Sequence, residues 1–291
     1  MLPPVVDTAW LAERAGEPDL VIADVRWQHG QPDYGRAGFE TARVAKAVRL
    51  DLERDLSDLS DLSRGRHPLP RPLDLVAALA RAGIGQGTLV VVYDDQAGSV
   101  AARLWWLLRW LGQEGACALL DGGLQAWLAR GLPAESGPAA AAAPHPRPLA
   151  PMARADLAAT MSEVEREAGR GLLVLDARAA ERYHGQIEPI DRRAGHIPGA
   201  VSAPYAQNLT TDAVPRFRTP AQLRATYQGL GVDVARGDAS RVVCYCGSGV
   251  TSCHDLVALE LAGARGARLY PGSWSEWVAR HPEAGQPPPA A

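Results

Sequence analysis

The stretch "TLVVVYDDQAGSVAARL" (residues 88–104) recurs, with its letters changed, as "SRVVCYCGSGVTSCHDL" (240–256). In each, an apolar run breaks off at short polar residues and glycine, and a helical pattern follows. A short continuous apolar run bounded by turn residues fits a strand buried on both faces of a parallel sheet. Three more correspondences extend the likeness. "LVIADVRWQ" (20–28) answers "LLVLDARAAE" (172–181), each ending its apolar run in Asp-x-Arg: Asp24 and Arg26, then Asp176 and Arg178. "RPLDLVAALARAGI" (71–84) answers "TPAQLRATYQGLGV" (219–232), both opening a helical pattern with Pro in the first turn and closing it with Gly. Gly122 and Trp127 answer Gly272 and Trp277.

The pairs Asp24/Asp176, Gly83/Gly231, Asp95/Cys246 and Gly122/Gly272 lie 152, 148, 151 and 150 residues apart. Four motifs in the same order at a nearly constant offset mean a duplicated domain; solenoid repeats are shorter. Between the copies runs "PAESGPAAAAAPHPRPLAP" (133–151), a Pro/Ala stretch without apolar periodicity that reads as a linker. The expected division is a non-catalytic domain over 1–137, a linker over 138–152 and a catalytic domain over 153–291. In both domains apolar strand runs (Val21–Ala23, Leu89–Val92; Leu172–Leu175, Val242–Cys244) alternate with helical patterns. The expected fold class is α/β, each domain a mostly parallel sheet with helices on both faces.

Bulk properties narrow the function. At 291 residues the chain has room for two cores, and its net charge of −3 gives no reason to expect nucleic acid or an acidic membrane as partner. The start "MLPPVVDTAWLAERAG" lacks a basic and apolar leader, and no window approaches the length of a membrane span. Cys117, Cys244, Cys246 and Cys253 are too few and too clustered for a disulfide scaffold, so a reducing cytoplasm is the expected compartment.

The chemistry concentrates at Cys246, which follows the run Arg241-Val242-Val243-Cys244 and precedes Gly247-Ser248-Gly249-Val250-Thr251. Two glycines let the backbone curl so that successive amides point inward as an anion-binding nest, and the helix beyond adds its positive end. Both favour thiolate over thiol, which is what a nucleophile needs. The alternative reading of Cys246 is a buried inert thiol. The first copy bears on it: Asp95 aligns with Cys246, and Gln96 and Ala97 with Gly247 and Ser248, so the fold itself does not demand a thiol. A cysteine phosphatase needs an arginine after five intervening residues, and that place holds Ser252. No second ligand pair has zinc spacing, so no metal is expected. Cys244 and Cys253 read as core.

The duplication, "LDARAAERYHGQIEP" (175–189), "AGHIPGA" (194–200), "CGSGVT" (246–251) and "GSWSEW" (272–277) together resemble the two-domain rhodanese family of sulfurtransferases. The loop "CGSGVT" is similar to that of members using 3-mercaptopyruvate; members preferring thiosulfate usually carry cationic residues where this chain has Gly247 and Ser248. The resemblance implies that the Cys246 thiolate takes a sulfur atom from a small-molecule donor. The resulting persulfide then passes it to a thiol, a thioredoxin or cyanide, with no cofactor beyond that covalent intermediate. It implies that Arg182 binds the donor carboxylate, with Gly247, Gly249, Val250 and Thr251 forming the cradle. The family's second arginine follows "EP", where this chain has Ile190, and Arg192 or Arg193 is expected to reach the same anion. The resemblance also implies a Ser–His–acid relay through Ser248, His67 in "GRHPLP" and Glu53 in "LDLERDL", which would set the site between domains. For Arg182 the alternative is an ion pair with Glu181 or Glu188, and for His67 a solvated loop histidine. Thiosulfate is the alternative donor, and a sulfur carrier or regulatory module without turnover the alternative class. Asp24 and Asp176 are expected to bind loop amides, His196 to brace a turn, and the tryptophans of the helical patterns to fill cores. Where "AGHIPGA" would recur, the first copy has "TARVAKA" (41–47).

Overall fold

The apolar runs that define the duplication form the strands of two separate sheets in a computed structural model, which describes residues 1–138, 144–145 and 147–282. Of the expected linker, residues 139–143 and 146 lie outside the described residues, as do 283–291 of the expected second domain. The chain groups into two compact units. The first comprises Met1–Asp58, Leu69–Arg154 and Thr211–Arg216; the second comprises Leu59–Pro68, Ala155–Thr210 and the chain from Phe217. The grouping therefore differs from a single cut at the linker: ten residues of the first repeat, 59–68, fold with the second unit. Among the described residues no helix is long and apolar enough to cross a membrane.

The first unit holds strands β1 (Val5–Val6), β2 (Leu20–Asp24), β3 (Arg43–Val44), β4 (Val48–Arg49), β5 (Leu89–Tyr93), β6 (Cys117–Leu120) and β7 (Ala134–Glu135). Five of them form a parallel sheet in the order β1-β6-β5-β2-β4, while β3 and β7 pair antiparallel. The second unit holds β8 (Leu173–Asp176), β9 (Ala200–Ser202), β10 (Val242–Tyr245) and β11 (Arg268–Leu269), all parallel in the order β11-β10-β8-β9. This is the first unit's order without its edge strand. The two central strands of each sheet are buried almost throughout, as continuous apolar runs require. Trp127 in one core and Trp274 in the other are 1% and 0% exposed, and each contributes a few kcal/mol through burial, about 25 cal/mol per Å² of apolar area.

Each central strand pair ends on a buried ion pair. Arg26 Nη2 donates to Asp24 Oδ2 at 2.6 Å, and Arg178 Nη2 to Asp176 Oδ2 at 2.6 Å. The same nitrogens also donate to Ala42 O and Gly195 O, tying the strand end to the loop that follows the next helix. A buried pair is tolerable only when its remaining donors find partners, and these carbonyls supply them. The aspartates do accept a loop amide each, from Arg26 and Arg178, but the arginine side chains are their main partners. His196 braces its turn, stacked 3.9 Å from Tyr183 with Nδ1 on Tyr183 O; at the matching place in "TARVAKA", Arg43 lies over Phe39.

The structure moves one correspondence by a residue. Leu124 N–H donates to Asp94 O as Trp274 N–H donates to Cys246 O, and Tyr93 OH accepts from Val44 N–H as Tyr245 OH accepts from Ile197 N–H. Asp94, not Asp95, thus occupies the place of Cys246, at the offset of 152 that also relates Asp24 to Asp176. Ala97 (φ 54°) then answers Gly249 (φ 73°), and Gly123 (φ 56°) answers Ser273 (φ 55°). Apolar letters could not fix this register, because the loop after each strand contains two consecutive short polar residues. In the first unit the curled loop closes on the Asp94 carboxylate: Oδ1 accepts from Gln96 and Gly98 N–H at 2.9 and 2.8 Å, Oδ2 from Val100 and Ala101 N–H at 2.8 and 2.9 Å.

Two stability predictions follow from this geometry. Replacing Asp94 by Ala orphans three buried amides and one part-buried one, and we expect a loss of about 3 kcal/mol or more in urea unfolding followed at the first unit; a change below about 1 kcal/mol would show that water replaces the carboxylate without cost. Ser273 is a fully buried non-glycine residue at positive φ. Its Oγ accepts from Cys246 N–H at 3.1 Å and donates to Tyr270 O at 2.9 Å. Both Ser273→Ala and Ser273→Gly lose these bonds, but only the glycine relaxes the backbone. The alanine variant should unfold at lower urea, by about 1 kcal/mol.

Candidate active site

The second unit places Cys246 one residue past the end of β10, where a parallel sheet presents ligands to the carboxyl ends of its strands. The residue is 3% exposed. Its backbone is held on both sides, by Ser273 Oγ on the N–H and by Trp274 N–H on the carbonyl. Gly247 O accepts from Ser275 N–H at 2.9 Å. Gly249 sits at φ 73° with Pro271 O only 2.4 Å from where a Cβ would be, so no other residue fits there. Val250 is buried, Thr251 is half-buried, and the helix Ser252–Ala262 begins directly after them. These are the loop residues expected from the sequence; the corresponding turn after Asp94 is one residue longer and has two residues, Ala97 and Gly98, at positive φ.

Segment 59–68 brings His67 to this loop. His67 is 2% exposed, and its Nδ1 shares a hydrogen bond with Ser248 Oγ at 2.8 Å, so the solvated-loop alternative does not hold. The segment is anchored by Gly65, whose φ of 108° lets it pass 2.7 Å (Cβ position to oxygen) from Gly272 O. Arg66 N–H donates to Ser275 Oγ at 2.9 Å. Glu53, the expected acid of the relay, belongs to the first unit; its own N–H donates to Asp51 Oδ1 at 3.0 Å.

Arg182 is carried on the short helix Ala180–Tyr183. Its guanidinium pairs with Glu188, Nη2 to Oε1 at 2.6 Å, as the ion-pair alternative anticipated, and it also reaches Asp191 Oδ2 at 3.2 Å. Glu188 is bonded to Arg178 as well, and Arg66 Nη1 meets Asp191 Oδ1 at 2.7 Å. The result is an alternating ladder, Asp176–Arg178–Glu188–Arg182–Asp191–Arg66, running from the sheet to the loop. Burial pushes the Glu188 pKa up, but Arg182 and the N–H groups of Asp191 and Ile190 pull harder, and the net position is below the ordinary carboxylate range. Cys244 stands apart: burial raises its thiol pKa, as expected of core.

The ladder ends at Gly247. A Cβ there would lie 2.8 Å from Arg66 Nη2, 3.7 Å from Asp191 Oδ2 and 3.8 Å from Arg182 Nη1. The expected second cation, Arg192 or Arg193, is not what the structure brings to this point. Arg192 is exposed, and Arg193 contributes its carbonyl, which accepts from Trp274 Nε1 at 2.9 Å. At this point the inward-turned residue of the segment is Asp191, whose carboxylate lies between the guanidinium groups of Arg66 and Arg182. Arg66, adjacent to His67 in "GRHPLP", is the residue sequence reasoning missed; only the position of its neighbour could have pointed to it.

Comparison with known proteins shows the family. The family model described as "Rhodanese-like domain" matches residues 7–130 and again 160–280. A Pseudomonas aeruginosa protein named "Probable 3-mercaptopyruvate sulfurtransferase" is 44% identical over 271 residues, covering 92% of each chain. The rat thiosulfate sulfurtransferase is 33% identical over 290 residues, covering 96% of this chain and 93% of its own. Among solved structures, the 3-mercaptopyruvate sulfurtransferase from Leishmania major superposes with a TM-score of 0.84 at 28% identity, over 97% of this chain and 75% of that one. The chain belongs to the rhodanese family, as a tandem of two rhodanese-like domains.

Proposed function

We propose that this protein is a sulfurtransferase that takes sulfur from 3-mercaptopyruvate, with Cys246 as the nucleophile. The observation that supports the donor is the Ser248 Oγ–His67 Nδ1 hydrogen bond of 2.8 Å, two residues beyond Cys246. The reason lies in the leaving groups. Attack of the Cys246 thiolate on the mercaptopyruvate sulfur breaks a carbon–sulfur bond and expels the pyruvate enolate, whose carbon must gain a proton. The donor's own thiol proton balances that demand, and a serine–imidazole pair is suited to hand it over. Sulfite leaves thiosulfate without needing any proton. Cys246 is left as a persulfide, and the acceptor in the second half-reaction is a thiol, a thioredoxin or cyanide. A thiol acceptor gives up its proton as it takes the outer sulfur, and the Cys246 thiolate is restored. The donor carboxylate is assigned to Arg182, whose Nη1 lies 3.8 Å from the Cβ position of Gly247; this supports the reading. Thiosulfate is the second reading, favoured by the likeness to the rat enzyme.

Treatment with donor alone should add one sulfur to the intact protein by mass spectrometry, located on Cys246, and nothing to Cys246→Ser; continued addition in the serine variant would move the nucleophile elsewhere. Ser248→Ala should lower kcat for pyruvate release by about 100-fold or more, the scale of a lost proton-transfer group. The same variant should change sulfite release from thiosulfate less than about threefold. Equal losses with both donors would remove the proton-transfer argument.

A further inference from the structure

The ladder beside Gly247 contains a cation that neither the relay nor the Arg182 assignment uses. We propose that Arg66 is a donor-binding residue, which together with Arg182 grips the carboxylate of the α-keto acid, with Asp191 setting the spacing of the two guanidinium groups. The inference rests on the function proposed above and names the part of that site which selects for a carboxylate.

Three observations carry it. First, the carboxylate partners of the two arginines engage particular nitrogens: Asp191 takes Arg66 Nη1, while Glu188 and Asp191 take Arg182 Nε and Nη2. The nitrogens turned toward Gly247 are the other ones, Arg66 Nη2 and Arg182 Nη1. Two N–H-bearing groups from different segments thus face one point next to the nucleophile, the arrangement that a carboxylate's two oxygens can bridge. Second, the point is open only because residue 247 has no side chain, since any Cβ would stand 2.8 Å from Arg66 Nη2. Third, Arg66 is positioned rather than dangling. Its N–H donates to Ser275 Oγ, Ser275 N–H donates to Gly247 O, and Gly65 before it adopts a φ of 108° to allow the approach. The Arg66 side chain is 23% exposed and that of Asp191 4%, so the guanidinium is the accessible end of the ladder. Asp191 Oδ2 also lies 3.7 Å from the Gly247 Cβ position, but that carboxylate is already bonded to both arginines, so the two outer nitrogens are what an incoming carboxylate can engage.

The test compares 3-mercaptopyruvate with its neutral methyl ester, reading kcat/KM for sulfur transfer to a thiol acceptor in wild type, Arg66→Ala, Arg66→Lys and Arg66→Ala/Asp191→Ala. Arg66→Ala should cut the acid-over-ester preference by about 10–100-fold, the scale of a lost charge-assisted bond, mostly through KM for the acid. Arg66→Lys should recover part of it. The double variant, which leaves no buried carboxylate unpaired, should show the same loss as Arg66→Ala, and the ester should react alike in all four. If acid and ester fall together in Arg66→Ala and in the double variant, Arg66 only supports the loop and the inference is overturned. It is also overturned if the preference survives in both. Should wild type itself fail to turn over 3-mercaptopyruvate, it is the proposed function that fails first.

Discussion

A strand that ends and turns its next amides inward is the constraint on which both halves of this molecule depend. The turn needs backbone at positive φ, supplied by Ala97 and Gly98 in one unit and Gly249 in the other. Its amides converge on a small volume that must hold something negative or strongly polar. The first unit shows what fills it: the Asp94 carboxylate, held by four N–H groups. The second unit puts a thiol in that place. The two copies thus put different residues, Asp94 and Cys246, at the same place past the strand end. The Asp94 carboxylate uses both of its oxygens on those four amides.

Around the Cys246 loop the second unit adds charges in alternation rather than as a patch. Buried arginines and carboxylates are each expensive alone, and the ladder from Asp176 to Arg66 works because every member has a neighbour of opposite sign. The arrangement also delivers direction. Glu188 fixes Arg182 and, by accepting the N–H groups of Ile190 and Asp191, fixes the loop that presents Asp191. Positions along the ladder are thus set from the sheet outward, by the same strand-end aspartate that both copies share.

Much of this was legible in the letters. The apolar runs gave four strands, β2, β5, β8 and β10, to within a residue at their ends, and "CGSGVT" marked the loop of Cys246, Ser248 and Gly249, where the turn admits few alternatives to glycine at 249. What stayed hidden were partners chosen by tertiary structure. Nothing local says that Arg26 and Arg178 fold back on the aspartates two residues before them, or that Ser273 adopts a glycine's conformation to hold Cys246. The one-residue error over Asp95 arose because two adjacent aspartates look equivalent until their carbonyl partners are known. Arg192 and Arg193 are close in sequence to the position where the family has its second arginine, whereas Arg66, the guanidinium beside Gly247, lies 125 residues before its partner Asp191.

Segment 59–68 has a consequence for how the molecule could ever be divided. The imidazole and guanidinium that flank the Cys246 loop are encoded in the first half of the gene product yet fold into the second unit. A fragment starting after the linker would inherit the thiol without His67 or Arg66. The complementary piece would carry both with no loop to serve. Gene fission along the obvious seam would thus part the loop from its flanking side chains, which ties the first repeat to the same polypeptide as the second.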